Sequence, residues 1–170
     1  MDARDADSDV TRTLFVCTAN VCRSPMAEAI SNALADEYGL PWRTESAGVA
    51  ALVGEGISTK AGLALEEIGV FLRSHRARQV EAWMLEETDL VLAMTRHQAD
   101  TLRRLSPPSS AKIHTLLSFT EGALGDEDVP DPYGQSMTAH RASVRQLWHH
   151  VEKVAAGIRA TRDDREVRPD

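Results

Sequence analysis

Two patterns of apolar residues alternate along this chain. Short, nearly unbroken apolar runs are separated by longer stretches in which apolar residues recur every three or four positions. The first pattern fits strands buried on both faces and the second fits amphipathic helices. Thr13–Cys17 predicts the first strand. Met26, Ile30, Ala33 and Leu34 then predict a helix to about Tyr38, opened by Ser24 as N-cap with Pro25 at the first helical position. Trp42–Ser46, closed by Ala47 and Gly48, predicts a second strand, and the glycine-bearing stretch 49–58 reads as a loop. A helix over 59–68 turns Leu63, Leu65 and Ile68 inward and stops at Gly69. A short helix over 79–87 carries Val80, Trp83 and Met84 inward. The run "DLVLAMT" (89–95) predicts the third strand, 96–105 a helix ended by Ser106-Pro107-Pro108, and "KIHTLLS" (112–118) the fourth strand. An acidic loop follows over 120–134. The last helix, about 136–160, places Met137, Val144, Leu147, Trp148, Val151, Val154 and Ile158 at helical spacing.

Strands alternating with helices in this way predict a single α/β domain: a four-stranded, parallel, twisted sheet with helices on both faces. The domain is expected over 11–160, with the polar segments 1–10 and 161–170 as mobile tails. A chain of 170 residues, 42% hydrophobic and 26% charged, is ordinary for one globular domain. No apolar run approaches a membrane span, and "MDARDADSDV" is acidic where a secretory signal is basic and then apolar. Cytoplasmic residence without membrane insertion is therefore expected.

Charge narrows the chemistry. A net charge of −7 argues against nucleic acid as a partner. Any anion site must then be local and preorganised. Cys17 and Cys22 are too few for a disulfide framework, C-x4-C lacks the remaining zinc ligands, and the six histidines show no metal spacing. Neither metal nor cofactor is expected.

Ligands of parallel α/β sheets bind beyond the carboxyl ends of the strands, and the first strand ends at Cys17. From there "CTANVCRS", residues 17–24, leads into a helix start. Such a loop can aim several peptide N–H groups at one point, reinforced by the helix dipole, and this suits a tetrahedral oxyanion. Arg23 adds a planar fork matched to two phosphate oxygens. The same field favours a thiolate at Cys17, and Ser24 can donate to that sulfur. Sulfur, guanidinium and amides converging on phosphorus describe nucleophilic catalysis through a phosphocysteine. That route needs a carboxyl to protonate the departing oxygen, and Asp131 in "VPDPYG", stiffened by Pro130 and Pro132, offers one.

Each of these features has a plainer explanation. A lone Cys-x5-Arg is usually a buried thiol and a surface arginine, and Asp131 alone would be a turn former. The strand end, the Ser-Pro helix start and the Asp-Pro loop occurring together favour catalysis. Cys22 is either a small core residue or a partner able to form a reversible disulfide with Cys17. Asp126, Glu127 and Asp128 read as a solvated acidic run, Trp83 and Trp148 as core, and His149-His150 as incidental. Tyr133 reads as a substrate wall.

Together, "VCTANVCRSP", "ESAG" and "DPY" resemble the low-molecular-weight protein tyrosine phosphatases, in order and spacing across roughly 12–158. The resemblance implies a four-stranded parallel sheet, a Cys17 nucleophile, an Arg23 phosphate clamp and an Asp131 acid/base. It also implies a phosphate loop of Thr18, Ala19, Asn20, Val21, Cys22, Arg23 and Ser24. Asn20 would hold a left-handed turn there, supported by Ser46 and His75, a backbone region that asparagine tolerates. "SAGVAALVGEG" and "SHRARQ" are most similar to bacterial members acting on autophosphorylating tyrosine kinases of polysaccharide export. A tyrosine-phosphorylated protein, such as a kinase of that kind, is the expected partner.

Two positions depart from the family pattern. Ala19 stands where members commonly have glycine, and Leu52 stands near the place of a eukaryotic tryptophan that walls the substrate ring. Rival activities remain within this frame. Phosphoarginine phosphatases carry threonine where Val21 stands. Arsenate reduction by an internal relay needs cysteines after Cys22 that the chain lacks, which leaves only external thiols. A non-catalytic phosphotyrosine-binding module would have lost Cys17, Arg23 or Asp131.

Overall fold

A computed structural model describes residues 9–72, 74–122 and 128–167. Four strands, β1 (Thr11–Cys17), β2 (Trp42–Gly48), β3 (Leu90–Ala93) and β4 (Ile113–Thr115), form one parallel sheet in the order β2-β1-β3-β4. Six helices accompany them: α1 (Arg23–Tyr38), α2 (Thr59–Glu66), α3 (Ala82–Glu87), α4 (Arg96–Leu105), α5 (Leu116–Glu121) and α6 (Met137–Val167). A 3₁₀ turn over Pro107–Lys112 precedes β4.

Strand alternation sends side chains of β1 to opposite faces. Phe15 and Cys17 join a core built with α1, α2, α5 and α6, whereas Leu14 and Val16 join a second core with α3 and α4. Helices therefore cover both faces, as the alternating pattern predicts. The chain leaves β1 for β2 on one side and later returns to β3 on the other. This reversal opens a crevice at the carboxyl ends of β1 and β3.

Several elements differ from expectation, each for a local reason. Residues 116–118 begin α5 instead of extending β4, because Thr115 Oγ1 accepts from Ser118 N at 3.1 Å and caps a helix. Residues 79–81 precede α3 because Gln79 bridges Gly48 and Val80 N donates to Gly48 O. The turn before Gly69 (φ +74°) takes up 67–69, so α2 ends at Glu66. Leu63, Ile68 and Trp83 are exposed, not inward. Trp83 Nε1 instead donates to Glu81 Oε2 at 2.9 Å. Trp148 is partly buried against the larger core.

The last helix continues through the segment expected as a tail, to Val167. There Arg162 donates to Gly39 O at 3.1 Å and Arg165 lies 3.9 Å from Asp9. The remainder of the expected tails, residues 1–8 and 168–170, lies outside the described residues, as do Asp126 and Glu127 of the acidic run. No described helix is long and apolar enough to cross a membrane.

Candidate active site

The loop from Cys17 to Cys22 is turned by its outward hydrogen bonds. Carbonyl oxygens of Cys17, Thr18, Ala19 and Val21 accept from the N–H groups of Val49, Ala50, Leu52 and Ser58, at 2.8–3.0 Å. His75 Nε2 donates to the Asn20 carbonyl at 2.6 Å. Each trans peptide unit points its C=O and N–H in opposite directions. Five successive carbonyls aimed outward therefore aim the N–H groups of residues 18 to 22 inward, a ready cradle for an oxyanion.

Close approach of the 49–58 loop requires Gly48. A Cβ there would sit 2.4 Å from Thr18 O. Asn20 makes the left-handed turn, with φ +59°. Its Nδ2 donates to Ser24 Oγ (2.9 Å) and Ser46 Oγ (3.0 Å), and its Oδ1 accepts from Arg78 N at 3.0 Å. Asn20, Ser46 and His75 are thus brought together. Ala19 keeps negative φ, since Asn20 is the one non-glycine residue with positive φ among the described residues. Its methyl packs against the larger core, so alanine carries no backbone strain there.

Ser24 does not cap α1. The helix starts two residues earlier than expected, at Arg23, with Cys22 at the cap position and no side-chain cap bond. Ser24 Oγ instead lies 2.9 Å from Cys17 Sγ and 3.4 Å from Ala47 O. Ser24 Oγ accepts from Asn20, and its single proton can go either to the Ala47 carbonyl or, over the shorter contact, to the sulfur. Cys17, Asn20 and Ser24 are all buried.

Arg23 is 4% exposed and reaches across to the segment before α6. One guanidinium nitrogen donates to Val129 O at 3.0 Å and another lies 3.3 Å from Asp131 Oδ2. Its Nε is buried without a protein acceptor. A donor left so costs about 1–3 kcal/mol, which an oxyanion in the cradle would recover. The Asp131 side chain is 51% exposed and accepts from Tyr133 N at 3.1 Å. Leu52 and Tyr133 are both exposed: Leu52 hangs on the Ala19 carbonyl, and Tyr133 stands two residues beyond Asp131. Asp128, expected to be solvated, accepts from Arg96 N at 2.8 Å.

Cys22 is buried, and its Sγ lies 3.0 Å from Ser58 Oγ. Burial pushes this thiol up to about 11. Cys17 and Cys22 are both free.

Three supporting residues escaped the sequence analysis. Glu28 accepts from Ser46 Oγ at 2.5 Å, and burial raises its carboxyl above the ordinary glutamate range. Arg78 donates from Nε to Ser46 O at 3.0 Å and pairs with Glu45. Gln98 donates to Thr18 Oγ1 at 3.0 Å. Gln98 left a trace in sequence as the third residue after Thr95 in a capping box, and Arg78 lies within "SHRARQ". No group of three or more metal-ligating side chains occurs among the described residues.

A family model described as low molecular weight phosphotyrosine protein phosphatase matches residues 12–164. A low molecular weight protein-tyrosine-phosphatase of Streptomyces coelicolor is 41% identical over 155 residues, covering 88% of this chain and 92% of that protein. The low molecular weight protein-tyrosine-phosphatase Wzb of Salmonella typhi is 30% identical over 149 residues, covering 88% and 95% respectively. Among solved structures, the YwlE arginine phosphatase from Geobacillus stearothermophilus superposes with a TM-score of 0.82 at 33% identity, over 91% of this chain and 96% of that one.

Proposed function

The chain belongs to the low molecular weight phosphotyrosine protein phosphatase family, and on that premise we propose that it hydrolyses protein phosphotyrosine with Cys17, Arg23 and Asp131 as its catalytic groups. The convergence of these three carries the reading. Cys17 and Arg23 bound one inward-facing loop, and the Arg23 guanidinium lies 3.3 Å from the Asp131 carboxylate, which comes from the far end of the chain.

The steps follow from this arrangement. Cradle amides and the Arg23 guanidinium hold the phosphoryl oxygens and oppose the charge that builds on them. Cys17 Sγ attacks phosphorus and the P–O bond to the ring breaks, its electron pair leaving on oxygen. Asp131 gives its proton to that oxygen, and tyrosine departs. Water then attacks the phosphocysteine as the Asp131 carboxylate takes its proton. The P–S bond breaks, its pair returns to sulfur, and Ser24 steadies the thiolate by hydrogen bonding. Phosphate leaves, and every group is as it began. No cofactor or metal enters.

Val21, buried with the larger core, carries no hydroxyl where one would favour a guanidinium, which supports an aromatic substrate. Leu52 and Tyr133 serve as its walls. The substrate is a tyrosine-phosphorylated protein in the cytoplasm, and the similarity to polysaccharide-export members favours an autophosphorylating bacterial tyrosine kinase. Phosphoarginine is the second reading, favoured by the similarity to the Geobacillus arginine phosphatase. Rates on a phosphotyrosine peptide, a phosphoarginine peptide and arsenate with added thiol, beside a Cys17→Ser control, separate the readings. Faster phosphoarginine turnover overturns the choice of tyrosine, and thiol-dependent arsenate reduction exceeding both hydrolyses overturns the phosphatase assignment.

A further inference from the structure

The sheet order sets the ends of β1 and β3 side by side, so the loop after Cys17 faces the turn into α4. One side chain spans the crevice. Gln98 is 2% exposed, and its amide orientation is fixed by its neighbours. Oε1 accepts from the N–H groups of Met94 and Thr95, both at 3.0 Å, which leaves Nε2 to face Thr18. Nε2 then donates to Thr18 Oγ1 at 3.0 Å, beside the nucleophile. The same turn grips the acid segment from its other side. Met94 O accepts from Val129 N at 2.8 Å, and Arg96 N donates to Asp128 Oδ1 at 2.8 Å, two and three residues before Asp131.

We propose that Gln98, acting through Thr18, is a positioning residue that sets the separation between the Cys17 sulfur and the Asp131 carboxyl. The inference rests on the roles given to those two residues above. Arg23 ties the cradle to the acid segment directly, through Val129 O. Gln98 closes the opposite side of a triangle formed by cradle, turn and acid segment. Two independent ties fix a distance that one tie leaves free to swing, and misplacement by about 1 Å is enough to slow a proton transfer tens-fold or more.

Thr18 lies exposed at the rim, so its variants test the tie without disturbing the core. Thr18→Val removes the hydroxyl that accepts from Gln98 at nearly constant volume, and Thr18→Ser keeps it. Turnover is measured on aryl phosphates with poor and with good leaving groups, for wild type, both Thr18 variants and Asp131→Asn. Thr18→Val is expected to lower kcat about tenfold for poor leaving groups and less than about threefold for good ones, with Thr18→Ser restoring wild-type behaviour. Adding Thr18→Val to Gln98→Ala is expected to cause no further loss, because the two share one bond. Equal slowing across leaving groups, no slowing, a serine variant as impaired as valine, or additive losses would each overturn the proposal. If Asp131→Asn leaves the leaving-group ratio unmoved, the acid assignment itself fails. If it moves the ratio and Thr18→Val does not, only the tie fails.

Discussion

The two halves of the site are held in opposite ways. On the side of the proposed nucleophile, residues 17–24 are mostly buried, the carbonyls of 17–21 are tied outward one after another, and Asn20 is held in a left-handed turn by Ser24, Ser46, Arg78 and His75. On the side of the proposed acid, Val129 is buried and bonded, yet Pro130, Asp131 and Tyr133 beyond it are exposed. The contrast matches two chemical demands. An anion cradle works only if its dipoles are already oriented before charge develops, so it must be overdetermined. A proton donor must serve a leaving oxygen and later a water at slightly different positions, so only its root needs fixing.

Breaking the rigid half at its nucleophile gives the largest effect. Cys17→Ser is expected to reduce turnover by about 10⁴-fold or more while phosphate or vanadate still binds, checked by steady-state rates and by calorimetric titration of the oxyanion. Loss of oxyanion binding along with turnover would mean that the sulfur shapes the cradle as well as attacking from it.

Removing the donor from the other half should affect only steps that need a proton. Asp131→Asn is expected to slow aryl phosphates with poor leaving groups by about 10²–10³-fold and those with good leaving groups far less. Equal slowing would place Asp131 in binding instead.

Gly48→Ala probes how the cradle is braced. The added methyl, 2.4 Å from Thr18 O, must displace either the cradle or the 49–58 loop. Stability is expected to fall by about 1–3 kcal/mol in urea denaturation, with competitive inhibition by phosphate weakened in parallel. A stability loss that leaves phosphate affinity intact would show the brace to be dispensable for the cradle.

The smallest effect concerns Cys22. Its thiol titrates at about 11 in the fold against an ordinary 9.0, so the native state holds this proton more tightly than the unfolded chain. Its contribution to stability is full below pH 9.0 and declines as pH rises towards about 11. Cys22→Ala should flatten that part of a stability-against-pH curve. At neutral pH, iodoacetamide should modify Cys17 and spare Cys22, as peptide mapping would reveal. Rapid labelling of Cys22 would argue that the loop opens readily and is less rigid than its bonds imply.

Much of this was legible from order along the chain. Cys17 at a strand end, Arg23 at a helix start and Asp131 in a proline-flanked turn are local features, and the structure brings all three to one crevice. Of the two roles expected of Ser24, the contact with the Cys17 sulfur is present and the helix cap is not, because its hydroxyl also serves Asn20 and leaves the helix end to Cys22. Leu63 and Trp83 sit at helical spacings that matched an inward face but are exposed, since α2 and α3 are too short for periodicity to fix their rotation, and Ile68 is exposed in the turn beyond α2. Nothing local marked Gln98, Arg78 or Glu28 for the site, since the capping box around Gln98 marks only a helix start.

The sequence by itself determined the alternation of strands and helices and the parallel sheet, and it marked Cys17, Arg23 and Asp131 as the candidate reacting groups. Each of these depends on neighbouring residues and on short-range periodicity. Tertiary structure alone decided that Gln98 meets Thr18, 80 positions away, and that Arg78 meets Asn20 across 58. Such bonds carry no periodic signature, because a buried donor is satisfied by whichever acceptor the packed sheet brings within about 3 Å.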